Sequence, residues 1–319
     1  MTINPDAAKV VELIIASGRP PYPTIGHVAA REIFVASRAI LQPDPSPVGD
    51  VRDLAADGPA GKIPLRLYRG EGTDTSRPQP ALIYYHGGGW VLGNLESHDG
   101  VCRDIANAAQ CTVISVDYRL APEAKFPAAA DDSIAAARWI HDNAADLGID
   151  RARLAVGGDS AGGNLSAVVA LHARDNGGPK LKLQVLIYPS TDMSSEYPSY
   201  EEFAEQLPLT RTTMDWFVDL YLKSREQDAK DWRASPLRAK SLAGLPPAFV
   251  ITAAMDPLRD EGEEFARALL AADVPVEVKR FDGQIHGFLT MGRIIKDSQV
   301  AIADIATELR KAFAKSVGP

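Results

Sequence analysis

Five short apolar runs, each bounded by turn residues, limit what this chain can become. They are Ala81–Tyr85, Cys111–Val116, Leu154–Val156, Leu183–Ile187 and Ala248–Thr252. Between most of them lie stretches of helical periodicity, such as 128–145 and 160–174. A strand that is apolar throughout has no solvent face, so helices must cover both sides of the sheet it joins. The pattern therefore predicts an α/β protein with a mainly parallel sheet. Two flanking pieces extend it. Ile63, Leu65 and Leu67 alternate with polar or outward residues, as in a half-buried antiparallel strand, with residues 51–55 as partner across an Asp57-Gly58 turn. A last run, Val276–Phe281, precedes a helix carrying Ile302, Ile305, Leu309 and Phe313 on one face.

Three segments stand outside this alternation. Residues 6–17 and 24–41 read as helices that precede every strand and should be peripheral to the sheet. Residues 191–235 are longer than a crossover needs and hold Pro198, Pro208 and several aromatics, including Trp216, Phe217 and Tyr221. They predict an inserted helical subdomain.

At 319 residues and 45% hydrophobic content, the chain can bury one large α/β core. A net charge of -8, with no basic stretch longer than a pair such as Lys279-Arg280, argues against a nucleic-acid partner. Neither of the two cysteines, Cys102 and Cys111, has zinc or redox spacing, and two reduced, packed thiols are expected. No apolar run is long enough to span a bilayer, so no stable membrane anchor is expected. The N-terminal residues lack the basic-then-apolar pattern of a signal peptide, which makes the cytoplasm the default location.

Gly158-Asp159-Ser160-Ala161-Gly162 carries the chemistry. The run ending at Val156 leads into it, and residues from Ser160 onward begin a helix. A G-x-S-x-G string between strand and helix is the setting of a nucleophile elbow, where small residues must flank the serine. Gly158 and Gly162 supply them, with Asp159 beside the nucleophile. The bland alternative is a glycine-rich turn with an incidental N-cap serine. The flanking strand and helix favour a catalytic Ser160.

A second loop follows Tyr85: His86-Gly87-Gly88-Gly89-Trp90. Three glycines let backbone N–H groups face an anion without side-chain obstruction. Esterases use such a loop as oxyanion-hole donors. Gly87 and Gly88 are assigned to that role, with the N–H of Ala161 as third donor.

A serine needs a base, and an elbow of this kind is followed in the chain by an acid and then a histidine. Of six histidines only His172 and His286 come after Ser160. His172 lies about three turns along the helix that starts at Ser160, too far to return to it. That leaves His286, in a loop after the last run. Asp256 lies just past Ala248–Thr252, where an acid could accept the histidine N–H. Asp260, Glu261, Asp273 and Asp282 are the alternatives, the first two better placed at a helix start.

Taken together, the motifs His86–Trp90, Asp117–Glu123, Gly158–Leu165, Asp256–Gly262 and His286–Phe288 resemble those of the hormone-sensitive-lipase-like carboxylesterases. The resemblance spans residues 60 to 315. It implies an α/β-hydrolase fold: a central sheet of about eight strands, flanked by helices and covered by a helical cap. It implies a cap from residues 1–48 and 191–235, with core segments 49–190 and 236–319. It also implies a triad of Ser160, Asp256 and His286, donors at Gly87, Gly88 and Ala161, and support from His86. The substrates would be small-molecule esters of short to medium acyl chains, with no cofactor and no metal. A homodimer through the edge strand Val276–Phe281 is a reasonable expectation. Gln284, where an apolar residue is more common, and Ala254-Met255 depart from the family pattern and bear on the pocket wall or on the orientation of His286. Amide or carbamate hydrolysis would use the same parts. A non-catalytic ligand-binding receptor is a further alternative, which the presence of His286 disfavours.

Overall fold

A computed structural model describes residues 2–314. Met1 and residues 315–319, which lie in the first and last of the expected segments, fall outside it. Among the described residues, eight strands form one sheet: β1 (Asp50–Gly58), β2 (Gly61–Arg69), β3 (Gln79–Tyr85), β4 (Thr112–Val116), β5 (Ile149–Asp159), β6 (Leu181–Ile187), β7 (Ala248–Met255) and β8 (Val276–Ile285). Their order is β1-β2-β4-β3-β5-β6-β7-β8, antiparallel in β1–β2 and β2–β4 and parallel elsewhere. Every strand expected from the sequence is present. The first hairpin turns later than expected: Gly58 is still paired, with Gly61, so Pro59-Ala60 make the turn and not Asp57-Gly58.

Among the described residues, ten α-helices surround the sheet. They are α1 (Pro5–Ala16), α2 (Tyr22–Leu41), α3 (Asp99–Ala109), α4 (Ala128–Asp142), α5 (Ala161–Asp175), α6 (Pro198–Glu202), α7 (Arg211–Tyr221), α8 (Arg225–Asp228), α9 (Arg259–Ala271) and α10 (Asp297–Ala314). Period-two alternation along β3 sends Ile83 and Tyr85 into the core shared with α4, α5 and α9, and Leu82 and Tyr84 into the core shared with α1, α3 and α10. Both cores are apolar, so the strand shows no polar stripe. Cys102 and Cys111 are buried, free thiols in the second core.

The two N-terminal helices part company. Asn4 caps α1 by accepting the Asp6 N–H at 2.9 Å and donates its own N–H to Gly283 O in β8, fixing α1 at the sheet edge. The second, α2, breaks at Gly26 (φ 76°) and passes over the carboxyl ends of the strands that carry Ser160 and His286. Arg31 anchors it there, pairing with Glu123 through both carboxylate oxygens at 2.8 and 2.7 Å and donating to the carbonyls of Val91 and Ala121. That pairing holds the Glu123 carboxyl down at about 2.

Candidate active site

Ser160 follows the last residue of β5 at φ 57°, ψ -118°, before α5 begins. A side chain in that region stores about 1–3 kcal/mol of strain. Two glycines make the turn attainable: a Cβ on Gly158 or on Gly162 would run into the carbonyl of Tyr85. The Ser160 N–H donates to Ile187 O at 2.8 Å, fastening the elbow to β6.

Two further strand ends deliver their side chains to the same place. His286 directly follows β8 and Asp256 directly follows β7. His286 Nε2 lies 3.0 Å from Ser160 Oγ, and its Nδ1 lies 2.7 Å from Asp256 Oδ2. Asp256 is fully buried, and its second oxygen accepts the Leu258 N–H at 2.9 Å. The other acids point elsewhere. Asp260 engages Arg259 and the Ser199 N–H, Glu261 accepts from Thr191 and Tyr200, Asp282 is exposed, and Asp273 sits in the turn after α9.

The glycine loop corrects one assignment. The Gly87 N–H donates to Asp159 Oδ1 at 3.0 Å, and a Cβ on Gly87 would collide with that carboxylate. Gly87 is therefore not a free donor. The cavity is lined instead by Gly88 and Gly89, both at positive φ (123° and 61°). Gly89 has no room for a side chain, because the Phe217 ring of α7 lies where its Cβ would be. Ala161, the first residue of α5, has an N–H with no acceptor inside the helix.

Asp159 organises the space behind this loop. It is buried and accepts from Tyr84 Oη at 2.8 Å and from the Gly87 N–H, while His98 Nε2 lies 3.2 Å from it. Burial alone would raise its pKa, but His98 and Tyr84 outweigh that and hold it at about 2. His86 stacks on Tyr118 at 4.3 Å, and the Tyr118 hydroxyl donates to His86 O at 2.7 Å. Burial and the neighbouring His98 push the His86 pKa down to about 3, so it is a neutral strut. The sequence reading did not single out His98. An isolated histidine carries no motif, and only the fold brings it to Asp159.

The departures from the family pattern fall away from the cavity. Gln284 is buried but donates to Asp297 Oδ2 at 2.7 Å, tying β8 to the first turn of α10. Neither Gln284 nor Ala254-Met255 lines the pocket.

Above the serine is a cavity of about 590 Å³. Its floor is Ser160, His286 and the glycine loop; its roof is Tyr22, Phe34 and Arg38 of α2 together with residues 193–230. No α1 residue lines it. Trp90 joins floor to roof by stacking on Tyr221 of α7 at 4.6 Å.

A serine on a strained strand-to-helix turn, with histidine and aspartate after later strands of an eight-stranded mostly parallel sheet, defines an α/β-hydrolase. Residues 82–290 match the family model described as alpha/beta hydrolase fold. The chain belongs to the hormone-sensitive-lipase-like family of these hydrolases. It is 45% identical to carboxylic ester hydrolase LipN of Mycobacterium tuberculosis, over 89% of this chain and 77% of that one. It is 37% identical to ethyl acetate hydrolase of Pseudomonas putida, over 98% and 99%. Among solved structures, ester-hydrolase EH1AB1 from the metagenome of Lake Arreo, complexed with a bipyridine phosphonate derivative, superimposes with a TM-score of 0.94. That alignment has 43% identity and covers 98% of this chain and all of that one. Among the described residues no helix is long and apolar enough to cross a membrane.

Proposed function

We propose that Ser160, His286 and Asp256 form a catalytic triad that hydrolyses carboxylic esters of short to medium acyl chain through an acyl-enzyme. Ester hydrolysis itself accords with the family and with the relatives named above. The observation that carries the triad is the unbroken contact from Ser160 Oγ to His286 to buried Asp256.

His286 Nε2 takes the hydroxyl proton as Ser160 Oγ attacks the ester carbonyl, and Asp256 stabilises the imidazolium through Nδ1–H. The N–H groups of Gly88, Gly89 and Ala161 hold the developing oxyanion, Gly89 taking the place first given to Gly87. His286 then protonates the leaving alcohol, and water repeats the sequence on the acyl-enzyme. Residues 191–235 and α2 act as the cap, with α1 braced against β8 outside it. As the last strand in the sheet, β8 offers its free edge for a homodimer.

Hydrolysis of p-nitrophenyl esters from acetate to dodecanoate, by wild type and Ser160→Ala, tests this. Activity should peak at short chains and vanish in the variant. A folded wild type inert on every ester would return the amide-hydrolysing or receptor reading.

A further inference from the structure

Three arginines line the cavity, and two are neutralised there. Arg211 pairs with Glu196 and Asp215, and Arg225 pairs with Asp215. The third, Arg38 on α2, makes no ion pair among the described residues. Its Nη1 donates to Thr290 Oγ1, its guanidinium carbon lies 4.5 Å from the Phe34 ring centre, and its Nε is buried with no partner. Asp159 lines the same cavity but has its oxygens engaged by Tyr84, Gly87 and His98. Burial lowers the Arg38 pKa from its ordinary value, yet a guanidinium keeps its proton. The charge of Asp159 favours the Arg38 cation without touching it, and a partly desolvated guanidinium with no ion-pair partner has a planar fork that matches a carboxylate.

The placement of Arg38 indicates which part of a substrate carries that carboxylate. Thr290 lies on the loop that bears His286, and its Oγ1 also donates to Gly287 O. Arg38 is thus fastened to the histidine side of the cavity. In the mechanism above, that is where the alcohol leaves with the proton from His286.

We infer that Arg38 determines specificity by binding a carboxylate on the alcohol part of the ester, so that acyl esters of hydroxy acids are favoured over esters of neutral alcohols. The inference rests on the hydrolase reading above. In the first step the Ser160 Oγ–acyl bond forms, the acyl–oxygen bond to the hydroxy acid breaks, and its oxygen takes the proton from His286. Water then releases the carboxylic acid and restores the Ser160 hydroxyl.

The test compares kcat/KM for 2-acetoxypropanoate and for the uncharged 2-acetoxypropanamide in wild type, Arg38→Met and Arg38→Lys. Taking the ratio within each variant cancels differences in folded fraction. Wild type should favour the carboxylate at least about tenfold, as expected for a charge-assisted pair. Arg38→Met should bring the ratio to about one or below, and Arg38→Lys should keep part of it. In wild type, lactate should also compete with p-nitrophenyl acetate where lactamide does not. A wild-type ratio near one, or a preference that Arg38→Met leaves intact, overturns the inference, while cleavage of the acetate ester of 2-acetoxypropanamide keeps the ester-hydrolase reading. Preference for monoethyl succinate over 2-acetoxypropanoate would move the carboxylate to the acyl side and overturn the assignment. Failure to cleave any ester would remove both readings.

Discussion

Ser160, Asp256 and His286 each stand one residue beyond the end of a strand, whereas Phe34, Arg38 and Phe217, across the cavity, stand on α2 and α7. The floor inherits its geometry from parallel ladders between β3 and β5, β5 and β6, β6 and β7, and β7 and β8. The roof is held by separate side-chain contacts: Arg31 with Glu123, Trp90 with Tyr221, and Ser199 with the Asp256-Pro257 loop and Asp260. A ladder cannot shift one residue without unpairing its neighbours, while a roof contact can be exchanged alone. Chemistry needs fixed positions and substrate choice needs adaptable ones, so the division suits an esterase.

The largest test of the floor removes its proposed reacting groups. Ser160→Ala or His286→Ala should lower kcat by about 10⁴- to 10⁶-fold, leaving residual catalysis from the oxyanion donors and binding. Steady-state kinetics on p-nitrophenyl acetate measures this, and a loss below tenfold would mean that the contact chain is not the catalytic one. Next comes the elbow itself. Gly162→Ala drives a Cβ into the carbonyl of Tyr85. It should cost about 3 kcal/mol of stability by urea denaturation, together with most of the activity. A tolerated alanine here would show that the floor yields as readily as the roof.

The same division decides what could be read in the sequence. The elbow needs small residues at fixed offsets from Ser160, and the acid and histidine follow strands whose apolar runs mark their ends. Those positions were therefore legible. The choice among the three loop glycines was not, because it depends on where Asp159 places its carboxylate and on which N–H that carboxylate takes. Arg38 and His98 escaped for a related reason. Each meets its partner across a long stretch of chain, Arg38 with Thr290 and His98 with Asp159, and neither belongs to a local pattern. In the roof, residues 191–235 announced themselves by length, but α1 and α2 read alike, and only tertiary contacts send one to β8 and the other over the serine.

A roof substitution should have smaller, differently distributed effects. Arg31→Met removes the pair with Glu123, which is more than half exposed and worth little alone, and two bonds to the carbonyls of Val91 and Ala121. The loss should be about 1–2 kcal/mol of stability. KM should rise more than kcat falls, because α2 loosens while Ser160 and His286 keep their strand ends. An equal fall in kcat would tie α2 to the chemistry and blur the floor–roof distinction.

The smallest effect concerns where roof meets floor. Glu261, buried at the start of α9, accepts the Thr191 N–H at 3.1 Å and the Tyr200 hydroxyl at 2.6 Å, joining α9 to the first part of the roof. Burial pushes its pKa up to about 8, against those two hydrogen bonds and a third from Ser190, with the Asp192 charge adding to the rise. The folded protein therefore holds a proton that the unfolded chain releases above its ordinary value near 4.5. The resulting stabilisation is complete below about pH 4.5 and is lost as pH rises through about 8. Glu261→Gln stays uncharged at every pH, so its Tm relative to wild type should climb by about a few degrees between pH 5 and pH 8. Parallel Tm curves over that range would mean that Glu261 is ionised throughout, and that the junction between roof and floor does not respond to pH through this residue.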